Sequence, residues 1–201
     1  MIIELFGIPG VGKTTYAKNE TQFKSFFWPF ANINNDTKWF KRNISKFFSS
    51  IPFIFLHLIW INKLSKLVKT YLDDKKNINR TIFNGIFLKK TFFKYKKKKN
   101  ILFDEGVIQI AFSIFWRSTK DFDSKYIDKL FDLFYTPNKV VVINASHSTI
   151  VSRLLSRQRK PALFTEDELD DKVAFLLLKK NEFESRFLNS NTYIKEIYTN
   201  E

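Results

Sequence analysis

Nine consecutive residues near the start of the chain, Gly7-Ile8-Pro9-Gly10-Val11-Gly12-Lys13-Thr14-Thr15, have the make-up of an anion cradle. Glycines at 7, 10 and 12 let successive backbone amides converge on phosphate oxygens with no Cβ in the way. A helix opening just after the last glycine would point its positive end at the same anion. In the spacing Gly-x-x-x-x-Gly-Lys-Thr, the lysine reaches the outer phosphates of a triphosphate and the threonine hydroxyl faces Mg²⁺. Gly7, Pro9, Gly10, Val11, Gly12, Lys13, Thr14 and Thr15 are therefore expected to line the phosphate site.

Two further groups of residues suit the same chemistry. Asp104 closes the apolar stretch Ile101-Leu102-Phe103 and supplies the hard oxygen anion that a Mg²⁺ ion shared with Thr14 needs. Glu105 beside it can take a proton from an attacking hydroxyl or orient a water. Downstream, Arg153 and Arg157 lie four residues apart on one helix face, with Arg159 just beyond. Guanidinium forks suit phosphate oxygens and the charge that develops during phosphoryl transfer. Lys13, Glu105, Arg153, Arg157 and Arg159 are thus the residues expected to act on the reacting group.

The elements that must position these residues read as alternating strands and helices. Ile2–Phe6 is a short apolar strand, followed after the loop by a helix over Tyr16–Phe27 that stops before Pro29. A weak strand signal lies at Phe30–Ile33. From Trp39 to Lys99 phenylalanine, tryptophan and lysine alternate in helical clusters, which predicts an insertion of about three helices with a loop near Asp73–Asn79. The run Lys94–Lys99 reads as a solvated turn. Then follow the strand 101–103, a helix through Trp116, and a helix over Ser124–Tyr135 ended by Pro137. Val140–Ile143 is apolar on both faces, as strands covered by helices must be. A helix through Arg157, a polar stretch Gln158–Glu166, a helix over Asp167–Phe187 and a strand near Tyr193–Ile197 complete the chain. The order predicts an α/β fold with a mostly parallel sheet, in one domain spanning residues 1–201.

Strand, GxxxxGKT, an Asp-terminated strand, and a strand–helix unit ending in RxxxRxR together resemble the small P-loop kinases of the nucleoside monophosphate kinase group, thymidylate-kinase-like members in particular. The resemblance covers residues 1–18 and 100–197. It implies a P-loop NTPase fold with a five-stranded parallel sheet. It implies ATP as donor, and a lid over it formed by Gln158–Glu166 with Arg153, Arg157 and Arg159. It also implies acceptor-binding helices at the insertion, residues 39–99. Thymidylate kinases carry Asp-Arg where this chain has Asp104-Glu105, and Trp28-Pro29-Phe30 stands where they carry Arg-Glu-Pro. Both departures fall on the acceptor side, so the expected reaction is transfer of the γ-phosphoryl group to a nucleotide, nucleoside or sugar-like acceptor that the sequence does not name.

Composition closes other routes. Twenty-four phenylalanines and 4 tryptophans among 201 residues carry too much apolar surface for a disordered chain. With no cysteine and only His57 and His147, disulfide scaffolds, zinc ribbons, thiol nucleophiles and multi-histidine metal sites are poorly supplied. Asn138-Lys139-Val140-Val141 lacks the aspartate of a guanine-reading box, which weakens a switch-GTPase reading. The N-terminus lacks the basic start and apolar run of a signal peptide, and the longest apolar run, Ile51–Ile61, is too short to span a bilayer, so a cytoplasmic location is expected. The formal charge of +14 leaves a second reading open: a nucleotide-binding regulatory ATPase that docks on an anionic membrane or nucleic acid through its basic aromatic insertion. A homodimer is also compatible with the sequence. Codon bias toward lysine, asparagine, isoleucine and phenylalanine explains the surplus equally well.

Overall fold

The hydrophobic pattern resolves into a parallel sheet wrapped by helices. The computed structural model describes residues 1–29, 53–123, 125–156 and 167–188, together with the backbone of 194–198. Four strands run in parallel: β1 (Ile2–Phe6), β2 (Ile101–Phe103), β3 (Lys139–Asn144) and β4 (Ile194–Tyr198). Their order across the sheet is β2-β1-β3-β4. Ile3 pairs with Leu102 on one side of β1, and Leu5 with Val141 on the other. The chain thus leaves β1, builds outward on one side, then returns to build on the other. The crevice at the carboxyl end of β1 is where an open α/β sheet accepts ligands, and the glycine loop lies there.

Among the described residues the sheet has four strands rather than the expected five. A single parallel bridge, Phe27 to Ile101, stands at the outer edge of β2, where Phe27 donates to the Asn100 carbonyl and accepts from the Leu102 amide. Pro29 follows two residues later and has no amide to extend the pairing. The expected strand at Phe30–Ile33 lies outside the described residues. The helix expected at Tyr16–Phe27 is also corrected: α1 spans Lys13–Asn19, and a 3₁₀ turn covers Thr21–Phe23. Glu20 is extended and breaks the helix. Phe23 then folds back on Tyr16 at 5.8 Å, and the chain reaches the sheet edge at Phe27.

The described part of the insertion forms a helical segment at 53–56 and two longer helices, α2 (Leu58–Tyr71) and α3 (Lys75–Tyr95). Their connection is tighter than the loop expected at Asp73–Asn79, because the Asp74 carboxylate accepts from the Lys76 and Asn77 amides at 3.1 and 3.3 Å and starts α3 there. Leu64, Val68, Tyr71, Ile86 and Leu88 are buried, so this hairpin covers the core. One lysine between its aromatics is built into the structure: Lys89 donates to the Leu133 and Phe134 carbonyls at the end of a later helix and lies 5.5 Å over the Trp60 ring. The solvated turn expected at Lys94–Lys99 is shorter, because Lys94 and Tyr95 still belong to α3, and only the exposed Lys96–Lys99 forms the turn.

Helix α4 (Val107–Phe115) is the centre of the molecule, with Val107, Ile108, Ile110, Ala111, Phe112, Ile114 and Phe115 all buried. It is flanked by α2, α3, α5 (Tyr126–Leu133) and α7 (Leu169–Phe183), the last ending in a π-helical turn over Glu184–Leu188, and α6 (His147–Leu155) packs on α7. Phe6, Phe112 and Phe183 meet with ring centroids 5.4–5.5 Å apart and join β1, α4 and α7. Among the described residues no helix is long and apolar enough to cross a membrane.

Candidate functional site

At the end of β1 the backbone turns through Gly10 and Gly12, each with φ of +97°, a region that side chains rarely tolerate. Gly12 caps α1, and no side chain caps it in turn, so the first-turn amides of Lys13, Thr14 and Thr15 open toward the loop mouth. Gly7 is buried and receives the Lys13 ammonium on its carbonyl; the Ile8 carbonyl lies 3.4 Å from the same nitrogen. Val11 is buried in the core and Pro9 is half-buried, while the Thr14 and Thr15 side chains are exposed.

The loop is braced by α6. Ser146 starts that helix by accepting the Thr149 amide at 3.2 Å. Ile150 and Leu154 then pack so close to Gly10 that a Cβ there would stand 2.9 and 3.1 Å from them. One turn on, Arg153 donates to the Val11 carbonyl at 3.0 Å, with its guanidinium against Gly12. Of the three arginines singled out in the sequence, Arg153 is thus brought to the glycine loop. Arg157, Arg159 and the stretch 158–166 lie outside the described residues.

Asp104 follows β2 directly. Its Oδ1 is buried with no hydrogen-bond partner, and so is the Trp28 indole nitrogen near it. Burial, and then the Glu105 carboxylate, push the Asp104 carboxyl above its ordinary range, and the Trp28 indole and the Lys13 ammonium pull it back in part. An ionised carboxylate oxygen without a partner is costly to bury unless a cation meets it. Asp104 and the exposed Thr14 hydroxyl are hard oxygen donors, so this set fits Mg²⁺. Among the described residues no group of three or more His, Cys, Asp or Glu could hold a metal alone. Glu105 is exposed beside Asp104.

Glu4 was not singled out among the sequence motifs, yet it organises this end of the sheet. It sits in the middle of β1, fully buried, and its carboxylate accepts the Val107 and Ile108 amides at 2.9 Å each. It therefore caps α4 immediately after Asp104-Glu105-Gly106. A charged residue inside the otherwise apolar Ile2–Phe6 is the sequence signal that could have found it. Burial raises the Glu4 carboxyl; the nearby Tyr135 hydroxyl and the two amides lower it in part. A carboxyl that binds its proton more tightly in the folded chain is a stabilising feature below the ordinary value of 4.5, and this is lost as pH rises through the folded value. Compared with Glu4→Gln, the wild type is expected to lose unfolding free energy as pH rises from about 4 to about 8. Urea unfolding across that range measures it, and parallel profiles for the two proteins would refute it.

No family model matches the chain, and no curated relative matches it in sequence. In three dimensions the chain is similar to a deoxyadenosine kinase from M.mycoides, solved with the products dCMP and dCDP. The TM-score is 0.57 at 18% sequence identity, over 98% of this chain and 90% of the other. The likeness reaches the fold alone: a parallel sheet wrapped by helices.

Proposed function

We propose that this chain is a kinase that transfers the γ-phosphoryl group of ATP to a small-molecule acceptor of nucleoside, nucleotide or sugar type. The observation that carries the reading is the meeting of Lys13 and Asp104 at the mouth of a glycine loop: a cation for phosphate beside a buried carboxylate oxygen that lacks a partner. The amides of Gly10–Thr15 and the Lys13 ammonium bind the β- and γ-phosphates. Thr14 and Asp104 hold Mg²⁺, which when bound neutralises charge across those phosphates. Arg153, with Arg157 and Arg159, offsets charge on the transferring group. With a hydroxyl acceptor, Glu105 receives its proton as the new O–P bond forms, while the bond to the bridging oxygen breaks and ADP leaves. The fold likeness to a deoxyadenosine kinase supports a nucleoside-type acceptor. The insertion leaves the membrane- or nucleic-acid-docking reading as the alternative: Leu64, Val68 and Leu88 enter the core, while Phe55, Leu56, Leu58, Ile59 and most of its described lysines are exposed.

ADP release from ATP across a panel of nucleosides, nucleotides and sugars tests the proposal. Asp104→Asn is expected to lower acceptor-dependent turnover by about 10²–10³-fold and to weaken the Mg²⁺ requirement, while nucleotide binding persists through the loop. Failure of the wild type to bind ATP, or full turnover by Asp104→Asn, would overturn it.

A further inference from the structure

Just ahead of α2 and in its first turn, Phe55, Leu56, Leu58 and Ile59 are 72, 81, 57 and 79% exposed. Apolar residues scattered singly over a surface are ordinary, whereas four within five successive positions mark a place of contact. The segment is held firmly from beneath. The Phe53 ring stacks on His57 at 3.9 Å, and Phe93, near the end of α3, lies against both at 6.1 and 5.4 Å. On the other side Trp60 meets Phe134 edge-on at 5.3 Å. The half-buried rings thus serve as the anchor, and the exposed tip is mostly aliphatic.

Positive charge borders this tip on two sides. Ile59, Lys63 and Lys66 fall at i, i+4 and i+7 on the exposed face of α2, whose other face buries Leu64 and Val68. Lys96 lies 4.5 Å over the Phe93 ring, and its neighbours in the chain, Lys94 and Lys97–Lys99, are exposed. Residues 53–99 carry thirteen lysines and arginines against two acids, Asp73 and Asp74, and so hold most of the formal +14. Both acids stand beyond the far end of α2, about 20 Å from Leu58. There Asp73 pairs with Lys120 and Asp74 caps α3. Among the described residues, Asp132 is the one acid lining the recess at the foot of the patch, and Lys63 lines it too.

We propose that this patch docks on an anionic lipid bilayer. Phe55, Leu56, Leu58 and Ile59 enter the boundary between headgroups and acyl chains, and the bordering lysines meet the anionic headgroups. A polynucleotide would engage the lysines but has no use for aliphatic side chains, which offer no flat face to a base. A second copy of the chain would bring the same positive surplus against itself. An anionic bilayer complements both the apolar tip and its basic border. Docking needs neither nucleotide nor acceptor, so it and the kinase reading can fail separately.

Co-sedimentation of the full chain with lipid vesicles is the test. Binding to phosphatidylcholine vesicles containing about one third phosphatidylserine is expected to be at least about tenfold tighter than to phosphatidylcholine alone, and to weaken as salt rises. Leu56→Ser/Ile59→Ser keeps every charge and alters only exposed positions, so it should unfold at the wild-type urea midpoint. It should bind the anionic vesicles at least about tenfold less tightly. Lys63→Gln/Lys66→Gln should lose several-fold on the anionic vesicles and nothing on phosphatidylcholine alone. No vesicle binding by the wild type, or equal binding by the wild type and Leu56→Ser/Ile59→Ser, would overturn the proposal. A clear drop in the urea midpoint of Leu56→Ser/Ile59→Ser, or loss of a dimer in it, would also overturn it, by showing the patch covered by the chain itself or by a second copy. Polynucleotide binding that falls in the same variant as far as vesicle binding does would overturn it in favour of nucleic acid.

Discussion

Replacing Lys13 with alanine is expected to lower ATP-dependent turnover by at least about 10²–10³-fold while the chain stays folded. The Lys13 ammonium reaches back to the Gly7 carbonyl and lies near that of Ile8, so it spans the loop mouth where the outer phosphates would sit. Its charge also helps keep the neighbouring Asp104 carboxyl ionised. Removal therefore acts twice: the transferring group loses a cation, and the Asp104 carboxyl moves further up and binds Mg²⁺ less well. Lys13 is only partly buried, so water can replace it on the loop carbonyls, and the stability change should stay within about 1 kcal/mol. Thermal unfolding, nucleotide titration and turnover on one preparation separate these effects. A variant that keeps wild-type turnover would remove the glycine loop from the mechanism.

The largest effect on stability is expected at Gly106. A Cβ at this position would land within the Glu4 carboxylate, which is fully buried and tied to the Val107 and Ile108 amides. Gly106→Ala must push the carboxylate off those amides, leaving a buried charge and two buried donors without partners, at a cost of about 3–5 kcal/mol. Glu4→Ala alone removes the charge and leaves the amides and a void. In Glu4→Ala/Gly106→Ala the added methyl enters the space vacated by the carboxylate. The double variant should therefore be more stable than the sum of the single losses predicts, by more than about 1 kcal/mol. Urea unfolding of the three variants and the wild type gives the cycle. Simple additivity would show that Gly106 and Glu4 are not coupled. Because the same contact sets the start of α4, turnover should fall with stability in Gly106→Ala, through displacement of Asp104 and Glu105.

The glycine loop, β1 and the acidic end of β2 could all be read along the chain, because each depends on neighbours within a few residues. The turn through Gly7–Thr15 is local backbone geometry, and that geometry is set by the glycine spacing itself. Helix lengths were less legible. The residues Tyr16–Phe27 have helical periodicity, but packing of Phe23 on Tyr16 and pairing of Phe27 with the sheet edge end α1 at Asn19. Tertiary contact overrode propensity there. In the insertion, aromatics interleaved with lysine allowed a core cover, a stacking face or a membrane face, and burial of Leu64, Val68 and Leu88, with Lys89 capping the end of α5, puts part of it on the core.

By itself the sequence determined the glycine loop, the alternation of strands and helices, and the carboxylate that follows β2. Only the tertiary structure decided which distant residues complete that end of the sheet. Glu4 meets Gly106 and the α4 amides, and Arg153 meets the Val11 carbonyl, each across a wide gap in sequence. Short-range geometry is written in neighbouring residue types. The pairing of buried charges instead depends on where the sheet order β2-β1-β3-β4 brings separate segments together, and no spacing along the chain encodes that.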